Sequence, residues 1–491
     1  MNGERGYQGW SDAFAQPDMA SPATAKRRRR WPFLVLAVVC LVAATVVAGV
    51  LWLRDDSGYP RAWDPRVEEY ADFVEEERGL NFEHPIHVDF LPEAEFKEQV
   101  TSDEEDLTDE DREEIEQSTG VFRALGLIEG EFDLFDSVNQ LKGSGIVGYY
   151  SDEDERIRIR GTELTPTVES TLVHELTHAL QDQHFDLGKH HEELEEADDS
   201  AASSAYTALV EGDARRIEAA WRENLGEEEL DALRESEAEQ GEQVENDSAG
   251  APEVLETLMA APYVFGEALL WIAVEEGGDE AVDDLFMSPP TTEEHQLDPW
   301  TLIDGEDQPL DVPEPTLAEG EKEFDDGSFG AIWWLLLLAE RIPAEKALTA
   351  VDGWGGDAYL AFERDGVSCV RINYEAETDS DLHQMKQALD AWTSRQPAGP
   401  ASVRLDVPML VFESCDPGAD VDPVATGGSQ AAVQLAIGRT YLSGHLIDAG
   451  LEQLAARCAA DRMVREFTAK ELGSSETDPA RVRQVMAPCL V

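Results

Sequence analysis

Five consecutive residues carry the strongest chemical signal in this chain: His174-Glu175-Leu176-Thr177-His178, an H-E-x-x-H pattern. Side chains four apart on a helix lie one above the other, so the two imidazoles can share one metal ion. Glu175 stands beside them, where a carboxylate can take a proton from water activated by that metal. Types and spacing together point to a mononuclear zinc site that hydrolyses a bond. The same pattern also arises on solvated helix faces, so its surroundings decide.

A helix is expected here, because Thr165 suits the N-cap and Pro166 the first helical position. At about 100° per residue from His174, His178 falls at about 40° and Glu175 at about 100°. Leu172, Val173, Leu176, Ala179 and Leu180 fall between about 140° and 260°, so the aliphatic side is buried and the polar trio faces the other way. A site of this kind needs a third protein ligand. His184 stands ten residues after His174, but the Gly that would turn the chain between them is replaced by Gln181. On a continuing helix His184 lies about 9 Å beyond His178 and about 120° round from it, out of reach of the same ion. Glu211 is the stronger candidate. It sits in a segment striped by Ala202, Tyr206, Leu209, Val210, Ile217 and Trp221, with Ser204, Ala208 and Gly212 allowing another helix to come close.

The elements that must position these residues are partly legible. His87–Leu91 (HVDFL) alternates like a strand, and Arg156–Arg160 (RIRIR) reads as the second arm of a hairpin begun at Gly148. Residues 102–116 form an acidic helical run, residues 222–252 a solvated loop or exposed helix, and Ala260–Glu276 a helix. From Phe329 the order is helix (331–341), turn (Gly353–Gly356), strands (359–362, 369–374), helix (379–393) and strands (402–406, 409–413). The fold class is therefore α+β. Its expected parts are a polar tail (1–30), a transmembrane helix (31–53), a domain bearing the H-E-x-x-H motif (60–300), a small α+β module (327–417) and a helical C-terminal module (430–491).

The chain has 491 residues and a formal charge of −68, from 37 Lys and Arg against 105 Asp and Glu. Such a surface repels nucleic acid, which excludes DNA and RNA as partners. Salt adaptation produces the same composition, so charge does not identify a substrate. Trp31–Leu53 is an uncharged stretch about 34 Å long as a helix, enough to cross a bilayer. Lys26–Arg30 precede it, so the N-terminus is expected in the cytoplasm and the remainder outside, at the cell membrane. Cys369, Cys415, Cys458 and Cys489 all follow the anchor and allow three pairings. The local choice is Cys369–Cys415 with Cys458–Cys489.

His174–Phe185 (HELTHALQDQHF) followed by Ala208–Ala214 (ALVEGDA) resembles the gluzincin branch of the zincin-like metallopeptidases. More narrowly it resembles a group of membrane-anchored, largely actinobacterial H-E-x-x-H proteins. Weaker similarity runs over residues 60–417, through Pro262–Gly266, Pro289–Thr291 and Gly353–Asp357. The resemblance implies zinc held by His174, His178 and Glu211, Glu175 as general base, and a peptide or protein substrate. Many gluzincins carry an Asp four residues after the ligand Glu to hold an imidazole. Arg215 stands there in this chain, so Asp213 or Asp182 would have to serve. Zincins also bind substrate along an edge strand, for which Ile157–Arg160 is the candidate. Tyr263 and His295 are candidates, by position, for the oxyanion donor. His190 and His191 lie in an acidic loop and read as solvated. The expected function is an outward-facing zinc peptidase. The alternative is a non-catalytic zincin-like ectodomain acting as an envelope binding or assembly factor.

Overall fold

Alternation and helix signals in the first half resolve into a small sheet laid against long helices. In the computed structural model these are α1 (Glu68–Arg78), β1 (His87–Leu91), β2 (Gly148–Ser151), β3 (Arg156–Arg160), α2 (Pro166–Phe185), α3 (Leu187–Ala197), α4 (Ser200–Asn224), α5 (Glu227–Asp247) and α6 (Glu253–Met287). The second half adds β4 (Lys322–Gly327), α7 (Ala331–Ala339), β5 (Trp354–Arg364), β6 (Val367–Ala376), α8 (Asp379–Thr393), β7 (Ser402–Asp406), β8 (Met409–Cys415), α9 (Ser429–Asp448) and α10 (Gln453–Glu466). The structure describes residues 59–197, 199–247, 250–304, 309–396, 401–421, 425, 427–474 and 477–490. The tail 1–30 and the apolar segment 31–53 lie outside the described residues. Helices and two sheets, one with a parallel pair and one antiparallel, make the class α+β.

The first sheet has the order β1-β3-β2, with β1 parallel and β2 antiparallel to β3. Ile157 and Ile159 are fully buried and pack with Leu172, Val173 and Leu176 of α2. Gly148 lets the helix sit directly on the strand. A Cβ there would lie 2.7 Å from Ile159 Cδ1 and 2.8 Å from Thr171 Cγ2. The hairpin arm 157–160 is the central strand, bonded on both sides, and therefore has no free edge to offer a substrate. The edge beside α2 belongs to β2 instead.

The second sheet is antiparallel, in the order β4-β5-β6-β8-β7. Cys369 and Cys415 face each other across β6 and β8 and are bonded, as are Cys458 and Cys489, which is the local pairing. Gly353–Gly356, read as a turn, mostly belongs to β5, whose register shifts between Trp354 and Gly356. Leu310 docks there through its N–H to Gly355 O at 2.7 Å, and a Cβ on Gly356 would lie 2.7 Å from Leu310 O. A single apolar core draws on Phe122, Phe265, Leu335, Ile372, Phe412 and Leu435, so it joins α6, α7, the second sheet and α9.

At the centre of that core α7 is almost wholly apolar (AIWWLLLLA), and its first N–H groups need acceptors. Two buried carboxylates hold its start, Glu293 in the first turn and Asp357 at the residues leading into it. Asp357 accepts from Phe329 N (2.6 Å), Trp334 Nε1 (2.8 Å) and Trp354 Nε1 (2.7 Å), while Glu293 accepts from Ile332 N (2.8 Å). Leaving two buried indole N–H groups without an acceptor costs about 1–3 kcal/mol each. Asp357→Ala is accordingly expected to lower stability by about 3 kcal/mol or more in urea unfolding. A change below about 1 kcal/mol would show that water replaces the carboxylate.

Candidate metal centre

The capping signals put the motif on a long regular helix. Thr165 Oγ1 accepts from Val168 N at 3.3 Å, Pro166 opens the helix, and α2 runs unbroken to Phe185. Asp199 caps α4 through Ala202 N at 3.0 Å. The polar side of α2 does not face solvent, because α4 packs over it and α6 packs tightly against α4. The residues Gly212 on α4 and Gly266 on α6 allow this: a Cβ on Gly266 would fall 2.0 Å from Ala208 O, and one on Gly212 would fall 2.3 Å from Gly266 C. Backbone thus meets backbone one residue from Glu211.

That crossing brings His174, His178 and Glu211 together. His174 Nε2 and His178 Nε2 are 3.0 Å apart, and Glu211 Oε2 lies 3.2 Å from the first and 3.3 Å from the second. All three are buried, at 1%, 5% and 1% exposure, and their ligand atoms lie within 4.8 Å of one another. Ligands about 2.0–2.1 Å from a tetrahedral zinc ion stand about 3.3 Å apart, so donor types and spacing both fit. Burial opposes charge on Glu211, but the imidazoles of His178 and His174 outweigh it and hold the carboxyl down to about 2. This group can hold a metal ion. His184 is not part of it. Its Nε2 bonds Asn81 O at 2.9 Å on the exposed end of α2.

Glu175 is 2% exposed beside the trio. Burial pushes its carboxyl up, against the pull of His174 and His178, and the charge on Glu211 adds to the rise. It accepts a hydrogen bond from the backbone N–H of Tyr150 on β2, whereas its Oε1 has no hydrogen-bond partner among the described residues. A buried carboxylate oxygen next to three converging donors is placed to accept a proton. Tyr263 on α6 is also at the centre, buried, with its ring 6.1 Å from that of His174. His295 is held elsewhere, its Nδ1 2.7 Å from Thr301 Oγ1.

The expected orienting residues are placed differently. Asp182 accepts from Tyr150 Oη (2.7 Å) and Leu187 N (2.8 Å), tying β2 to the start of α3 rather than touching an imidazole. Asp213 reaches His178 only through Gln181, whose Nε2 is 3.0 Å from Asp213 Oδ2 and whose Oε1 is 3.0 Å from His178 Nδ1. The carboxylate beside His174 Nδ1 is Glu218, at 3.4 Å. Sequence reasoning missed both Gln181 and Glu218. Their spacing held the signal: Glu218 is two turns after Glu211 on the same face, and Gln181 one turn after His178. His190 and His191 are helical rather than loop residues. His191 packs its ring 5.1 Å from that of Tyr206. Burial, with His190 and His178 adding to it against Glu211, brings His191 down to about 4.

No protein-family model, curated protein or solved structure matches this chain, so any functional reading must stand on the chemistry of the three ligands and their neighbours.

Proposed function

We propose that this chain is a zinc-dependent peptidase of the zincin-like, gluzincin type, anchored by Trp31–Leu53 with its catalytic part outside the cell membrane. The observation that carries the reading is the buried His174–His178–Glu211 group with a second buried carboxylate, Glu175, beside it. Zinc bound by those three residues supplies a Lewis acid that acidifies water and polarises a carbonyl. Glu175 takes the proton of the attacking water and returns it to the leaving amine, a role suited to a carboxyl raised by burial. Tyr263, its ring 6.1 Å from that of His174, donates to the developing oxyanion. The β2 edge, whose Tyr150 N–H already meets Glu175, is the strand on which an extended peptide would lie. Glu175 and the ligands are closed off here, so turnover requires a more open conformation than this one.

That closure favours a second reading, in which zinc is structural or absent and the ectodomain binds or assembles envelope partners without cleaving them. One experiment separates the two. The full-length chain, purified in detergent, is expected to hold about one zinc per molecule and to cleave casein, with cleavage lost on chelation and restored by zinc. A folded chain that does not cleave, with zinc or without it, supports the second reading, and a folded chain without zinc defeats the peptidase.

A further inference from the structure

Behind each imidazole of the metal centre stands a different kind of partner, and the two partners together determine which ring nitrogen carries hydrogen. Glu218 is buried between two guanidinium groups, those of Arg215 and Arg222, which pair with it as an anion. Its oxygens accept from Ser170 Oγ at 2.6 Å, Arg215 Nη1 at 2.8 Å and Arg222 Nη2 at 2.9 Å. An ionised carboxylate only accepts and repels a lone pair, so the ring atom that faces it at 3.4 Å, His174 Nδ1, is the N–H.

Gln181 reaches the same end without charge. Its amide could face either way, and its partners decide which. Nε2 lies 3.1 Å from Val210 O and 3.0 Å from Asp213 Oδ2, and neither atom can donate. Asp213 is fixed as an anion by Arg78 at 2.9 Å and Arg216 at 2.8 Å, with Arg78 and Arg216 held in turn by Asp283 and Asp279. The NH₂ must therefore point at these acceptors and Oε1 at His178 Nδ1, 3.0 Å away, which must then be the N–H. With hydrogen on both Nδ1 atoms, the two Nε2 lone pairs and Glu211 Oε2 converge on one point. Only a cation or a shared proton satisfies such a meeting of acceptors.

We infer that Glu218 and Gln181 are the positioning residues of the centre, fixing His174 and His178 as Nδ1–H tautomers by unlike means, a carboxylate and an oriented amide, and thereby setting its affinity for a divalent metal. The inference rests on the proposed metal centre and adds the residues that tune it. Outer partners of this sort typically change metal affinity by about 10- to 100-fold.

Zinc affinity of the full-length chain, measured by competition with a chromophoric chelator, tests it. Glu218→Gln and Gln181→Met are each expected to bind zinc about 10- to 100-fold more weakly than the unsubstituted chain. Folded variants within about threefold of it overturn the inference while leaving the metal centre standing, and an unsubstituted chain that takes up no zinc overturns the centre itself. Should Glu218→Gln fail to fold, Gln181→Met and nitrogen-15 NMR of the zinc-loaded, unsubstituted chain carry the test. Both rings are expected to show an Nδ1-bound proton. An Nε2-bound proton on either ring defeats the proposal.

Discussion

Glu175→Gln is expected to keep its zinc and lose turnover by about 10²- to 10⁴-fold, the range that a positioned general base contributes. The substitution preserves size and leaves an oxygen that can accept from the Tyr150 N–H, so β2 and α2 stay in register. What disappears is the carboxylate that neither serves as a ligand nor is tied up by arginines, as Glu218 is. Folding should not suffer. Burial already raises Glu175, so an isosteric neutral amide removes a charge that the site holds at a cost. Metal content and the rate of chelator-sensitive casein cleavage are measured on the same preparations. Equal rates in the two proteins would remove Glu175 from the mechanism and turn attention to the structural-metal reading.

Local periodicity made α2 legible: cap, first-turn proline, aliphatic side and the i, i+4 histidines all lie within 20 residues. Glu211 could be singled out because its helix is striped and lined by small residues that mark a close crossing. The strand order could not be read the same way. Whether Arg156–Arg160 is edge or centre depends on β1, which joins it in parallel across some 65 residues of intervening chain and leaves no mark on the RIRIR alternation. The segment Leu187–Ala197 offers only Leu187 and Leu194 as large apolar residues, too few for a stripe, yet it forms a helix because Asp182 holds its first turn and Tyr206 receives its histidines. Arg215, where a carboxylate was expected, is explained by Glu218. The arginine has moved to the outside of the pair, at 2.8 Å, and the acid one turn further on meets the imidazole.

Gly266→Ala is expected to unfold the chain more easily and to weaken zinc binding at the same time, although residue 266 touches no ligand. The added carbon would sit 2.0 Å from Ala208 O, and the neighbouring backbone of Gly212 would be 2.8–2.9 Å away. Those are main-chain atoms of a regular helix and cannot rotate aside as a side chain would. α4 and α6 must therefore part at their closest point. Glu211 lies beside Gly212, so it is carried away from His174 and His178, whose own helix does not move with it. Overpacking by one methyl usually costs about 1–3 kcal/mol. A clash of main chain with main chain belongs at or above the upper end of that range, so a loss of about 3 kcal/mol in urea unfolding is expected. Gly143→Ala is the matched control. It is also helical, and its new carbon would meet Lys97 Cε at 3.1 Å and Thr101 Cγ2 at 3.2 Å, atoms that can give way. The better helix propensity of alanine then offsets the crowding, and a change within about 1 kcal/mol is expected. If Gly266→Ala instead matches the control in stability and keeps full zinc affinity, the two backbones do not meet there, and some other contact must hold Glu211 in place.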